Sequence, residues 1–266
     1  MAENSLDLQK ILSHFTPGVP LFLEEKDFII KTASDSGEVK EAMRLRYKVY
    51  YEDLNGSETG LDFDRYDEFC DHLIVIEKNN SIIAGTYRLN TSHENKFYSL
   101  KEFDLTNILK LPGKKMELGR ACVHPDYRRR KVFLMLVKGF LTYVSMAEVR
   151  YLFGCSSIMA KNKEDLLQIW NLLINHYRLP DDLYTPPVEK QEIVSDLYKD
   201  LQNYPFDHKK GRGLLPTIMA LYLKTGSLVS SLPFYDEYFK CFDFFTLLDM
   251  EKADRKMIKK LTAWIL

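Results

Sequence analysis

The chain has 266 residues, a formal net charge of −1 and 45% hydrophobic residues. This size can bury a core without metal or disulfide support, and the balanced charge provides no global field for nucleic acid or an anionic membrane. No apolar run approaches the ~18 residues of a membrane span, no signal-peptide pattern occurs, and the four cysteines form no CxxC pair. We therefore expect a cytoplasmic protein with reduced thiols.

The N-terminal part of the chain begins with a segment rich in turn residues. Residues 1–26 contain Pro17, Gly18 and Pro20 and are predicted to form a loosely packed lead-in. Residues 27–33 predict a strand, and the polar residues that follow offer N-cap oxygens for a helix that runs to about residue 53.

Arg46 lies near the middle of the apolar arc of this predicted helix. An inward-facing arginine needs a buried anion, because an unpaired buried charge is too costly. The anion is either a ligand or a structural ion-pair partner.

A hairpin and a strand–helix unit are predicted next. The β-rich runs 73–77 and 82–89 flank a turn and predict a hairpin. Residues 115–123 predict another strand, which ends at His124 and Pro125. A long amphipathic helix is predicted from about residue 130 to residue 149.

The second half of the chain is predicted to continue the alternation of strands and helices. Residues 180–207 are polar and irregular, which indicates an insertion. The other predicted elements are a short strand at 152–156, helices at 163–176 and 214–225, strands at 227–231 and 241–248, and a C-terminal helix. This order indicates an α/β fold built on a mixed sheet flanked by helices.

The charges are distributed unevenly along the chain. Residues 58–77 carry seven acids and one base, whereas residues 110–138 carry nine bases and two acids. The acidic stretch could hold a cationic ligand and the basic stretch an anionic one, although charged runs also form ordinary solvated faces.

The most informative unit is the strand, loop and helix between residues 116 and 144. A strand that feeds directly into a helix presents free N–H groups and the positive end of the helix dipole, which suits the phosphates of coenzyme A or phosphopantetheine. The loop adds four consecutive cations, Arg128, Arg129, Arg130 and Lys131, but contains no glycine for a close backbone cradle. Walker-A, dinucleotide and zinc spacings do not occur, so no metal site is predicted. One basic loop without an aromatic platform does not predict nucleic-acid binding.

The segment ELGRACVHPDYR, residues 117–128, resembles the acyl-donor motif of the GNAT-like ornithine–acyl-carrier-protein N-acyltransferases, a group also called hemolysin-like. Further segments resemble this family in the expected order between about residues 39 and 248. They are CDHLIV at 70–75, GTYRL at 85–89, FYSLKEF at 97–103, LFGCSS at 152–157 and the stretch 214–226. The acyl-homoserine-lactone synthases are similar at a greater distance, through Arg46, Asp64, Asp67, Arg88, Glu117 and Arg120.

The resemblance implies one GNAT domain over residues 27–266 and an enzyme that transfers an acyl group directly, without an enzyme-bound intermediate. It implies a long-chain acyl thioester of acyl carrier protein, or acyl-CoA, as donor, and no tightly bound cofactor. The implied acceptor is the α-amine of an amino acid such as ornithine or glycine, in aminolipid biosynthesis. An acidic carrier protein would dock on the basic loop, and peripheral contact with the inner membrane face is a further expectation.

Glu117 is the candidate base or amine-orienting group, with Arg120 beside it as the second candidate catalytic residue. Strict alternation places Glu117 and Arg120 on opposite faces of a strand, so they share a site only if a bulge intervenes near Gly119. Backbone N–H groups at Cys122 and Val123 are candidates to stabilise the oxyanion of the thioester. A purely structural ion pair for Glu117 remains the alternative.

Arg46, Asp64, Asp67 and Arg88 are predicted to bind the acceptor, the acids through its ammonium and the arginines through its carboxylate. Mutual salt bridges among these four residues are the alternative. Two other functions remain open from the sequence, an acyl-homoserine-lactone-type signal synthase and a non-catalytic module that binds acyl thioesters.

Overall fold

The computed structural model describes residue 8, residues 12–13, 15–55, 60–91, 96–128 and 131–263, with the side chains of 52–55 and 262–263 excepted. Its backbone contacts divide the chain into two compact units. The N-terminal unit comprises residues 1–94, 116–149 and 259–266, and the C-terminal unit comprises residues 95–115 and 150–258.

Strands and helices alternate along the described residues, which confirms the expected α/β class. The strands are β1 Phe22–Glu24, β2 Phe28–Thr32, β3 Asp71–Glu77, β4 Ile82–Asn90, β5 Lys114–Val123, β6 Val149–Ile158, β7 Leu228–Val229, β8 Phe234–Asp236 and β9 Cys241–Asp249. The α-helices are α1 Ser36–Asn55, α2 Thr106–Leu109, α3 Val132–Met146, α4 Lys163–His176, α5 Glu192–Gln202, α6 His208–Leu214, α7 Thr217–Lys224 and α8 Arg255–Ala263.

The sheet of the N-terminal unit joins β1 to β5 in chain order, with every neighbouring pair antiparallel. Successive residues of a strand point to opposite faces, so Leu73 and Ile74 of β3 face different helices. Ile74 packs in a cluster with Val39 and Met43 of α1. Leu73 lies against Gly139 of α3, since a Cβ added at Gly139 would come within 2.9 Å of the Leu73 side chain. This sheet therefore has a helix on each face, and both faces are buried.

In the C-terminal unit β9 pairs antiparallel with β6, β7 and β8. Phe244 and Phe245 of β9 are both fully buried, on opposite faces of these strands. Phe244 joins a cluster with Trp170 of α4, whereas Phe245 joins a second cluster with Phe103 and Phe153. Both faces of β9 are thus covered by apolar side chains.

The structure corrects the sequence predictions at five places. The predicted lead-in contains β1, and Leu21 next to it is buried. The Gly18 and Val19 N–H groups before it donate to Asp71, which ties this segment to β3. The predicted insertion at 180–207 contains the amphipathic helix α5. The predicted helix 214–225 is divided into α6 and α7 at Pro216, whose ring cannot continue a helix. The predicted strand 152–156 is the middle of the longer β6, and β8 was missed.

Candidate active site

A β-bulge interrupts the pairing of β4 with β5 next to Gly119, which is the condition under which Glu117 and Arg120 can share a site. Thr86 pairs with Cys122, and Arg88 pairs with Gly119, so two residues of β5, Arg120 and Ala121, lie opposite one residue of β4, Tyr87. Arg120, inside the bulge, has a φ of 53°, in the left-handed region that non-glycine residues rarely adopt. The extra residue reverses the alternation of side chains from that point along β5.

The bulge brings Arg120 to the same side of the sheet as Glu117. Arg88 Nη1 donates to Asp64 Oδ1 at 2.7 Å, and Arg120 Nη2 donates to Asp64 Oδ2 at 3.4 Å. Asp64 can contact both arginines only if they share a face. Glu117 pairs in register with Asn90, two residues from Arg88, and therefore lies on that face too.

A network of three arginines and three aspartates surrounds this position. Arg46 holds Asp67 with both Nη atoms, at 2.7 and 3.1 Å, and its Nε donates to Asp62 at 2.6 Å. Arg88 Nη1 also donates to Asp67, at 3.2 Å, and Arg120 Nε lies 3.3 Å from Asp62. The four predicted acceptor-binding residues thus pair with one another, and their role in binding an acceptor stays a prediction.

The fully buried members of the network keep their charges. Burial alone would raise the pKa of Asp67, but Arg46 and Arg88 outweigh it and hold that pKa well below its usual range. Burial lowers the pKa of the neighbouring His72 to about 4, with Arg46 and Arg88 adding to the effect. His72 is therefore a neutral imidazole at neutral pH.

Glu117 is 4% exposed, and its Oε2 lies 3.5 Å from Asn90 Nδ2. Cys122 is also buried, and burial raises the pKa of its thiol to about 12. A thiol with this pKa is protonated at neutral pH, which disfavours it as a covalent nucleophile. The carboxylate is therefore the better candidate for chemistry on β5.

The loop between β5 and α3 is fixed at its centre and exposed at its ends. Tyr127 is buried and its hydroxyl donates to Glu77 at 2.6 Å. His124 Nδ1 accepts from the Asp126 N–H and so caps the 3₁₀ turn Pro125–Tyr127. Arg128 and Lys131 are exposed beside the first turn of α3, and the predicted cations Arg129 and Arg130 lie outside the described residues.

Two residues of the site were not singled out from the sequence. Asp62 contacts Arg46 and Arg120, and Tyr50 of α1 donates to the Ala121 carbonyl beside the bulge at 2.7 Å. Asp62 belongs to the acidic stretch 58–77, and the need of Arg46 for an anion was the available signal. Tyr50 lies on the same apolar arc as Arg46, which predicted burial but not the hydrogen bond.

Three curated proteins similar to this chain carry the name L-ornithine N(alpha)-acyltransferase. The Rhodobacter capsulatus protein is 31% identical over 242 residues, which cover 85% of this chain and 92% of that protein. The Brucella abortus and Rhizobium meliloti proteins are 26% and 28% identical over 86% of this chain, covering 86% and 82% of their own lengths. The chain belongs to the L-ornithine N(alpha)-acyltransferase family. It is therefore an acyltransferase.

A family model described as an acetyltransferase (GNAT) domain matches residues 45–138 of this family member. All the site residues predicted from the sequence, from Arg46 to Lys131, lie within that range. The match confirms the GNAT fold expected from the sequence.

One similar solved structure is that of a CoA-dependent acyl-homoserine lactone synthase, BjaI, with SAM and isopentyl-CoA. It is 13% identical to this chain with a TM-score of 0.44, and the match covers 85% of this chain and 81% of that one. A second such synthase, MesI, is 11% identical with a TM-score of 0.46, covering 85% and 88%. No helix within the described residues is both long and apolar enough to cross a membrane.

Proposed function

We propose that this protein transfers a fatty acyl group from a thioester donor to the α-amine of ornithine. The acceptor follows from the relatives, which carry ornithine in their names and match most of this chain. The observation that carries the chemistry is the bulge at Arg120, because it puts a buried carboxylate, Glu117, on the same face of the sheet as Arg88 and Arg120.

The reaction forms a C–N bond and breaks the C–S bond of the thioester. The α-ammonium must lose a proton before the amine can attack, and the departing thiolate must gain one. Glu117 would accept the first proton, directly or through a water, because it is a buried carboxylate on the same face as the predicted acceptor contacts. The N–H groups near Cys122 and Val123 would stabilise the oxyanion of the carbonyl.

The acceptor would contact the most accessible part of the ion-pair network. The Arg120 and Asp64 side chains are 18% and 19% exposed, whereas those of Arg46 and Asp67 are 1% and 0% exposed. We therefore assign acceptor contacts to Arg120 and Asp64, the guanidinium to the carboxylate of the amino acid and the aspartate to its ammonium. Arg46, Arg88 and Asp67 hold these two residues in place.

The acyl donor would be recognised at the start of α3. Backbone N–H groups and the helix dipole favour a phosphate there, and the exposed Arg128 and Lys131 favour an acidic carrier protein. A phosphopantetheine arm is common to acyl carrier protein and coenzyme A. Arg128 and Lys131 form a basic rim, and an acidic carrier protein would contact it through its protein surface in addition to the arm.

The main test is Glu117→Gln, which keeps the shape of the side chain and removes its basicity. Release of free thiol from a long-chain acyl-ACP in the presence of ornithine is expected to fall by about 10²–10⁴ in kcat, the usual contribution of a general base. Glu41→Gln, an exposed glutamate of α1, is the matched control and should retain full turnover. Far-UV circular dichroism and the Tm establish that both variants are folded.

Unchanged turnover in Glu117→Gln would remove this residue from the mechanism. Absence of thiol release from the wild-type protein with every amino acid tried would favour a module that only binds acyl thioesters. Release with glycine but not with ornithine would keep the transferase activity and change the acceptor.

The donor is tested by reversing the charge of the rim in Arg128→Glu/Lys131→Glu. The apparent KM for acyl-ACP should rise by about tenfold and by clearly more than the KM for acyl-CoA, because steering and docking of an acidic protein depend on the charges of Arg128 and Lys131. Lys40→Glu, an exposed reversal on α1, is the control. Equal effects on both donors would contradict carrier-protein docking at this rim.

A further inference from the structure

A second group of chemically active side chains lies in the C-terminal unit, on strands that the proposed reaction does not use. Asp236 of β8 pairs with Cys241 of β9, and Asp243 follows two residues later on the same face. One ligand atom from each of these three residues lies within 4.8 Å of the others. Cys241 is 1% exposed and Asp243 is 4% exposed. This is an enclosed donor set and not a solvated acidic surface.

A fourth carboxylate, that of Glu102, faces this group. Asp243 pairs in register with Ser157 of β6, so Cys155, two residues earlier, shares its face. Cys155 Sγ lies 3.4 Å from Ser99 Oγ, and the Glu102 N–H donates to the Ser99 carbonyl. The 3₁₀ turn Tyr98–Lys101 thereby holds Glu102 over that face. The charged groups that act most strongly on Glu102 are Asp243 and Asp236.

One oxygen of Glu102 is buried without a hydrogen-bond partner. Glu102 is 97% buried, since its exposed fraction is 3%, and its Oε2 accepts no hydrogen bond from any described residue. Buried polar atoms are nearly always satisfied, so an exception of this kind indicates an absent ligand. Since the strongest charged neighbours are carboxylates, the group that would satisfy it is a cation.

We propose that Asp236, Cys241 and Asp243 hold one Zn²⁺ ion and that Glu102, which lies beside this cluster of three, turns to the ion as the fourth ligand. Three carboxylates and one thiolate form a set of four donors, which matches the tetrahedral preference of zinc. The thiolate disfavours Mg²⁺ and Ca²⁺, which take oxygen ligands. The half-buried Asp236 and the exposed Ser157 give the ion a route from solvent.

The ion would join the β8–β9 hairpin to the turn that carries Glu102, within one unit. Its role is structural, because four protein ligands leave no open position for a substrate. The sequence did not reveal this set, since Glu102 lies far along the chain from the other three ligands and only one of the four is a cysteine.

The test is zinc binding by the purified full-length chain after removal of metal with EDTA. Competition with a chromophoric chelator should give one Zn²⁺ per chain, and the Tm should rise with zinc because the ion binds only the folded state. Replacement by Co²⁺ should produce a thiolate-to-cobalt absorption band. Cys241→Ser should weaken zinc binding at least tenfold and remove that band. Cys70→Ser, a buried thiol of the other unit, should keep both.

Glu102→Gln separates the metal site from an ordinary buried acid. Without metal this variant should be folded, with a Tm close to that of the wild type, because the amide keeps the shape of the buried side chain. With zinc its Tm should no longer rise. A wild-type chain that binds no Zn²⁺ would overturn the proposal, and so would zinc binding that survives Cys241→Ser or equal binding of Mg²⁺.

Discussion

Asp67 is the carboxylate on which the buried ion-pair network depends most. Its two oxygens accept two hydrogen bonds from Arg46, one from Arg88 and one from the Asp64 N–H. In Asp67→Asn one oxygen becomes an NH₂ group, which then faces hydrogen-bond donors. The substitution also leaves Arg46 and Arg88 to share the two remaining aspartates. Neither guanidinium can be deprotonated in compensation.

We expect Asp67→Asn to lower the free energy of unfolding by about 3–5 kcal/mol, the usual cost of removing one partner from a buried pair. This is a large part of the ~5–15 kcal/mol that stabilises a typical protein. The assay is urea denaturation at neutral pH, where the lowered pKa of Asp67 keeps the carboxylate charged. Glu24→Gln, the same change of acid to amide at a 67% exposed bridge to Lys78, should cost far less, because solvent screens an exposed ion pair.

A loss below about 1 kcal/mol in Asp67→Asn, or a loss equal to that of Glu24→Gln, would refute this account. It would mean that the arginines find other partners or water when the carboxylate is removed.

Two further predictions concern stability. His72 has a pKa of about 4 in the folded state and about 6.5 in the unfolded state. Its contribution to the free energy of unfolding is therefore complete above about pH 6.5, and about 3 kcal/mol is lost as the pH falls towards 4. Urea midpoints across this range should fall less steeply in His72→Gln than in the wild type, and parallel curves would contradict the assignment. In α6, Gly211→Ala should cost about 1–3 kcal/mol, because a Cβ would meet the Gln168 carbonyl at 2.8 Å. Gly213→Ala in the same helix, with nothing within 4 Å, should gain up to about 1 kcal/mol, and calorimetry that gave both variants the same sign would refute the packing argument.

The sequence predicted the position of Arg46 better than its partners. Helical periodicity placed it on the inward arc of α1, and its guanidinium is 1% exposed. Its partners Asp62 and Asp67 come from a segment around a 3₁₀ turn, where no period of two or 3.6 residues indicates which acid points inward. The sequence therefore established that a buried anion is needed, and the tertiary structure decides which acids supply it.

The sequence predicted the bulge only conditionally. Glu117 and Arg120 can share a site only if the alternation of side chains along β5 is broken between them. Whether it is broken depends on the backbone of Arg120, and arginine gives no sign of a positive φ as glycine would. In the segment 180–207, by contrast, a signal was present and was missed. Val194 and Leu201 of α5 are buried one heptad apart, with the partly buried Leu197 between them.

The bulge in β5 makes this strand sensitive to its length. Removing Ala121 would restore regular pleating and place Arg120 opposite Tyr87, on the face away from Glu117, while Gly119 and Cys122 keep their pairing with Arg88 and Thr86. Glu117 and Arg120 would then be separated by the thickness of the sheet, although neither residue had been altered. Conservative substitutions in this stretch do not change the number of residues in β5. The number of residues therefore matters here more than the identity of most of them.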